Sequence, residues 1–296
     1  MKLEDALQEV HQIARRQLPD VERLALGRSH GRVLARPPPA QAEDALSPSL
    51  AAGMVLTPLR VGGLAAAGHA TVEVIRRPTV AVFTVGDWGA PGTPGAAGAG
   101  SDHARDLLVG LLRADGYEPT SWPQLPADPR QVEIALRDAG CAFDTILVSG
   151  GEGALVQVGQ VMAEFGKAHF STVECGPGRF DAVGGVLDEA GLLGLPSDAV
   201  ALAGLYLTLG RALLDGLQGR KGPRPTCRGL LAEAPASAGF QFARVECSPA
   251  GELRLRPVAG ELVALPADAN AVLVHPAVES GFQTGGAAEA ILLPGA

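Results

Sequence analysis

The chain has 296 residues, 47% of them hydrophobic but only 4% aromatic, with 39 glycines and 23 prolines, so it is long enough to bury several cores and is rich in turns. A formal net charge of −8 argues against a nucleic-acid partner, which needs a basic face, yet an anionic small molecule can still be held by backbone amides and a few local arginines. No apolar run reaches the roughly 20 residues of a membrane span and the amino terminus reads as an amphipathic helix rather than a signal peptide, so the expectation is no membrane contact and a cytoplasmic location.

From Leu3, the apolar positions Leu3, Ala6, Leu7, Val10, Ile13 and Ala14 recur at helical spacing and predict a helix ending near Pro19, with Arg15 and Arg16 at its carboxyl end. After Val21 to Leu26 comes Gly31-Arg32-Val33-Leu34-Ala35, a strand-like piece stopped by Pro37-Pro38-Pro39, and residues 40–53 read as a linker. Thr57 to Ala67 predicts a helix with Pro58 in its first turn and Gly68 at its end, followed by a strand from Ala70 to Ile75. Residues 1–77 thus form a helix-and-strand module with little core of its own, which must pack on something else, another copy of the chain being one candidate.

Two apolar runs organise the next region, Thr79 to Val85 and Asp144 to Val148, which lead into glycine at Gly86-Asp87 and Ser149-Gly150-Gly151. Such runs, separated by helical patterns, read as parallel strands buried on both faces, with ligand-facing turns at their carboxyl ends. Between them lie a Gly/Pro-rich loop from Gly89 to Gly100, a helix bearing Ala104, Leu107, Leu108, Leu111 and Leu112, and a helix opened by Pro129. A helix with Leu155, Val158, Met162 and Phe165 follows, then a strand near His169 to Glu174, the Gly176-Pro177-Gly178 turn, a hairpin around Asp181 to Leu187, the run Leu192 to Leu195 and a long apolar helix from Asp198 to Leu217. This alternation predicts a doubly wound α/β domain over 78–221.

From Gly222 onward, short alternating stretches at Gln241 to Val245, Leu253 to Arg256, Ala271 to Val274 and Ala290 to Leu293, separated by Pro, Gly and Asn, predict a small all-β domain over 222–296. Cys141, Cys175, Cys227 and Cys247 are far apart with no C-x-x-C pair, which suggests neither a disulfide framework nor a zinc site, and they read as buried thiols.

In order along the chain, the motifs resemble those of the molybdopterin molybdenumtransferases, the MoeA or gephyrin E-domain family. Gly31-Arg32-Val33-Leu34-Ala35 is similar to the family's Gly-Arg-Val-Leu-Ala, and Arg76-Arg77-Pro78 through Gly86-Asp87 to its Arg-Arg-Pro strand running into Thr-Gly-Asp-Glu. Phe143-Asp144 through Ser149-Gly150-Gly151 resembles the strand entering Ser-Gly-Gly, Pro177-Gly178 the centre of Lys-Pro-Gly-Lys-Pro, and Leu195-Pro196 the start of Leu-Pro-Gly-Asn-Pro. The resemblance implies a MogA-like molybdopterin-binding α/β domain, an amino-terminal dimerisation module, a homodimer and a pterin-phosphate ligand, molybdopterin or its adenylylated form, with Mg2+ as a further cofactor. Gly86, Asp87, Asp102, Ser149, Gly150, Gly151, Pro177, Gly178, Arg179, Pro196 and Ser197 are the binding residues it suggests.

The departures from the family pattern are as informative. A whole inserted domain of the family is replaced here by a linker near residues 40–50, which leaves the cleft open. Thr-Gly-Asp-Glu reads Val85-Gly86-Asp87-Trp88, the family acid after Ser-Gly-Gly falls on Val158 by an ungapped count, and Leu-Pro-Gly-Asn-Pro reads Leu195-Pro196-Ser197-Asp198-Ala199. One cation, Arg179, stands where the family has two, and Glu152 and Asp198 are acids that would repel a phosphate. Since the reaction implied needs donors for phosphates and carboxylates for metal-assisted hydrolysis, the expectation is transferase activity weakened or lost, with a scaffold that contacts a molybdenum-cofactor pathway protein as the alternative.

Most of these residues have a plainer reading too. Ser149-Gly150-Gly151 cradles a phosphate or is a turn that needs glycine, Asp87 and Asp102 face ligand or cap a turn and a helix, and Arg179 holds a phosphate or is a solvated loop cation. His169 reads as a core histidine and Trp88 as a filler of the emptied site; Arg244 resembles a family arginine, and His103 and His275 are assigned nothing.

Overall fold

A computed structural model describes residues 1–16, 20–39, 50–86, 103–235, 239–258, 268–274 and 283–294. Asp87, Trp88, Asp102, His275, the Gly89 to Gly100 loop and most of the 40–53 linker lie outside the described residues.

The chain begins with helix α1 (Leu3–Ala14), whose buried face is Leu3, Ala6, Val10, Ile13 and Ala14. Strand β1 (Val21–Ala25), helix α2 (Pro58–Ala66) and strand β2 (Thr71–Ile75) follow, with β1 and β2 paired antiparallel. Pro58 occupies the first turn of α2, as the sequence predicts, and Thr57 caps the helix through its side chain. The Gly31 to Ala35 piece is reduced to single bridges, Val33 to Val55 and Leu34 to Val74. These elements do have a core of their own, since Leu26, Leu34, Leu50, Leu56, Val61, Leu64, Val72 and Val74 cluster together. Helix α1 is not part of it and packs into the α/β core instead.

The central sheet is built from β3 (Val80–Val85), β4 (Thr120–Ser121), β5 (Thr145–Gly150), β6 (Gly166–Cys175), β7 (Gly178–Leu187) and β8 (Ala190–Pro196), in the order β4-β3-β5-β8-β7-β6. Strands β4, β3, β5 and β8 run parallel, and β7 and β6 return antiparallel. Strands β3, β5 and β8 are almost wholly buried because helices cover both faces. Helix α3 (His103–Ala114) lies on one face with α1 and the later helices, while α4 (Pro129–Ala142) and α5 (Glu152–Phe165) cover the other. Asp128 caps α4 by accepting from the amides of Arg130 and Gln131 at 2.9 and 3.0 Å.

The long apolar helix predicted after Asp198 is divided into α6 (Ala199–Leu205), a π-helical segment at Tyr206–Gly210 and α7 (Arg211–Leu217). Together Ala199–Leu217 spans 19 residues with a mean hydropathy of 1.4, enough by length and composition to cross a membrane, but 72% of the apolar window is buried inside the fold. The carboxyl-terminal strands β9 (Thr226–Leu231), β10 (Phe240–Cys247), β11 (Leu253–Pro257), β12 (Ala271–Val274) and β13 (Ala287–Leu292) close into a barrel in the order β10-β11-β9-β13-β12. Its interior is filled by Leu231, Ala243, Leu255, Ala271, Leu273, Ala288 and Ala290. The cysteines correct one expectation: Cys175 is buried, Cys227 is half-buried, and Cys141 and Cys247, at the ends of α4 and β10, are exposed.

Candidate functional site

Strand order reverses at β3. The chain leaves β3 through α3 to β4 on one side, then returns through α4 to β5 on the other, so the carboxyl ends of β3 and β5 flank a topological switch point. Pairing of Val85 with Gly150 and of Gly150 with Pro196 places Gly86, Gly151 and Ser197 along one edge. Gly86, Ser149, Gly150, Gly151, Pro196 and Ser197, all expected at the site, are therefore brought together.

They do different things there. Ser149 is buried, and its hydroxyl donates to the Pro196 carbonyl at 3.2 Å, tying β5 to β8 rather than facing solvent. A Cβ on Gly150 would lie 2.6 Å from the Ala154 Cβ and 2.9 Å from the Val85 carbonyl oxygen, so this glycine is required by packing. Gly151 is exposed, sits at the N-cap of the 14-residue helix α5 with φ −71°, and would meet nothing within 4 Å if it carried a side chain. Among the described residues, nothing packs against Gly151 at the start of α5 beside the switch point. Glu152, in the first turn of α5, is exposed, and Asp198 accepts from the Ala201 amide at 2.9 Å as the cap of α6.

The hairpin bearing Pro177, Gly178 and Arg179 does not join this group. Strand β7 stops pairing with β8 at Val183 and Gly194, and the turn projects past the strand ends on the barrel side. There the Cys175 thiol donates to the Gly239 carbonyl at 3.6 Å and the Phe180 ring packs on Phe240 with centroids 5.3 Å apart. Phe180 therefore seals the barrel against the α/β core and does not plug the switch-point cleft. Arg179 is exposed opposite Glu174 on β6, two strands from β5, or about 10 Å across the sheet. Asp87 and Asp102 lie outside the described residues, and among those described no group of His, Cys, Asp and Glu could hold a metal ion.

No family model matches the chain. Among curated proteins, it is 30% identical over 176 residues to a molybdopterin molybdenumtransferase of Haemophilus influenzae, covering 57% of this chain and 42% of that protein. It is 31% identical over 137 residues to a Nostoc molybdopterin molybdenumtransferase, covering 44% and 31%. The chain thus matches less than half the length of these relatives. Among solved structures, the molybdopterin biosynthesis MoeA protein from Pyrococcus horikosii superposes with a TM-score of 0.74 at 17% identity, covering 100% of this chain and 99% of that one. The fold is that of MoeA. A molybdenum cofactor biosynthesis protein from Pyrococcus furiosus agrees, with a TM-score of 0.72 at 20% identity and 99% coverage of both chains.

Other positions read from the MoeA-like sequence have structural duties. Val158 is fully buried and faces the sheet, so it does not reach the strand ends. His169 on β6 is bound through Nδ1 to Glu9 of α1 at 2.6 Å, a core histidine as read from the sequence. Arg244 is held by Glu246 and Asp268 at 3.2 and 3.3 Å.

Two polar clusters escaped the sequence reading. Buried Asp115 receives both prongs of Arg211 at 2.7 and 2.8 Å, the Tyr206 hydroxyl at 2.8 Å and Arg224 at 2.9 Å, and Arg224 also grips Asp215 at 2.8 Å. Burial, and then the charge of Asp115, pushes the Tyr206 phenol well above its ordinary range. At the amino edge of the sheet, Asp144 accepts two bonds from Arg76 at 2.8 Å and bonds from the Thr79 amide and hydroxyl at 2.6 and 2.9 Å. Burial acts to raise the Asp144 carboxyl, but Arg76 and Thr79 outweigh it and hold it below the usual carboxylate range. Each cluster joins residues more than 60 positions apart, which no local spacing announces.

Proposed function

We propose that this MoeA-like chain acts in molybdenum-cofactor biosynthesis and binds molybdopterin, or its adenylylated form, at the carboxyl ends of β3, β5 and β8, with molybdenumtransferase activity weak or lost. The open Gly151 at the start of α5 carries the reading. Packing among the described residues accounts for Gly150 but not for Gly151, whose exposed position at the start of α5 suits the close approach of a phosphate. The weakened chemistry follows from what else is there. Ser149 is committed to Pro196, Asp198 caps a helix, and Glu152 opposes an anion. Among the described residues, no group of acids fits a magnesium site. The reading includes a cytoplasmic homodimer built on the amino-terminal elements.

Calorimetry on the purified chain with molybdopterin and with its adenylylated form tests this, alongside Gly151→Val and Arg179→Ala. Micromolar binding that Gly151→Val abolishes is the expected result, and Arg179→Ala reports whether the projecting hairpin reaches the ligand. No binding at high concentration would sink the proposal in favour of a scaffold for a pathway protein, a reading favoured by the scarcity of reactive side chains among the described residues at the strand ends.

A further inference from the structure

We draw no further inference here: the strongest candidate, a cavity of about 510 Å³ between the start of α1, the β6 to β7 turn and strands β9, β12 and β13 of the barrel, has Glu4, Glu174 and Glu289 in its lining but Lys2, Arg179 and Arg228 beside them, so its charges are mixed and nothing in the structure shows what covers it.

Discussion

Adjacent glycines at the end of β5 answer to different demands, and substitution should separate them. An alanine at Gly150 pushes its Cβ into Ala154 and the Val85 carbonyl, whereas one at Gly151 enters open space at a φ of −71° that any residue adopts. Gly150→Ala should therefore cost about 1–3 kcal/mol of stability and Gly151→Ala close to none, as read from urea unfolding midpoints. The opposite order would mean that packing, not ligand approach, sets Gly151. The sequence placed this site because Ser149-Gly150-Gly151 follows a β-branched apolar run, a local signal. It did not show which glycine was structural or where the Ser149 hydroxyl points, because both depend on neighbours from other strands, Val85 and Pro196.

Elements repeat this contrast between local and distant signals. Strands β3, β5 and β8 were legible as continuous apolar runs, and α2 and α4 from proline in the first turn. The two-residue β4 is too short for any periodicity, and β9 is interrupted by Gly229, whose missing side chain admits the Leu253 carbonyl. The π segment was hidden because Tyr206 is anchored from afar by Asp115 and lies over Gly210. Asp144 works at the same scale, clamping the linker before β3 to the start of β5. Its folded pKa lies below the unbound value of 3.8, so the unfolded chain binds the proton more readily and stability rises with pH. The contribution is complete above about pH 5 and is lost as pH falls through the folded pKa. Asp144→Asn should be less stable than the parent at neutral pH, with the gap closing in acid. A gap in urea midpoints that stays constant down to about pH 2.5 would refute the assignment.

Across the whole molecule, α1 is the piece whose membership was least visible, since its amphipathic pattern says that one face is covered but not by what. Its carboxyl end meets α7 closely, where a Cβ on Gly216 would stand 2.6 Å from that of Ala14, and its amino end extends to β6 through the Glu174 amide donating to the Met1 carbonyl at 2.8 Å. Glu9 adds the bond to His169, so one helix binds the edge of the central sheet to the helix beside the barrel. Deleting residues 1–16 strips cover from Val173, Leu213 and Leu214, which share the same core. With each large buried side chain worth roughly 1.5–3 kcal/mol, loss of Leu3, Val10 and Ile13 alone approaches the roughly 5–15 kcal/mol that keeps a domain folded. The truncated chain should therefore bind a hydrophobic dye and lose its cooperative thermal transition. A truncated chain that melts cooperatively near the parent temperature would show that α1 rests on a core already complete without it.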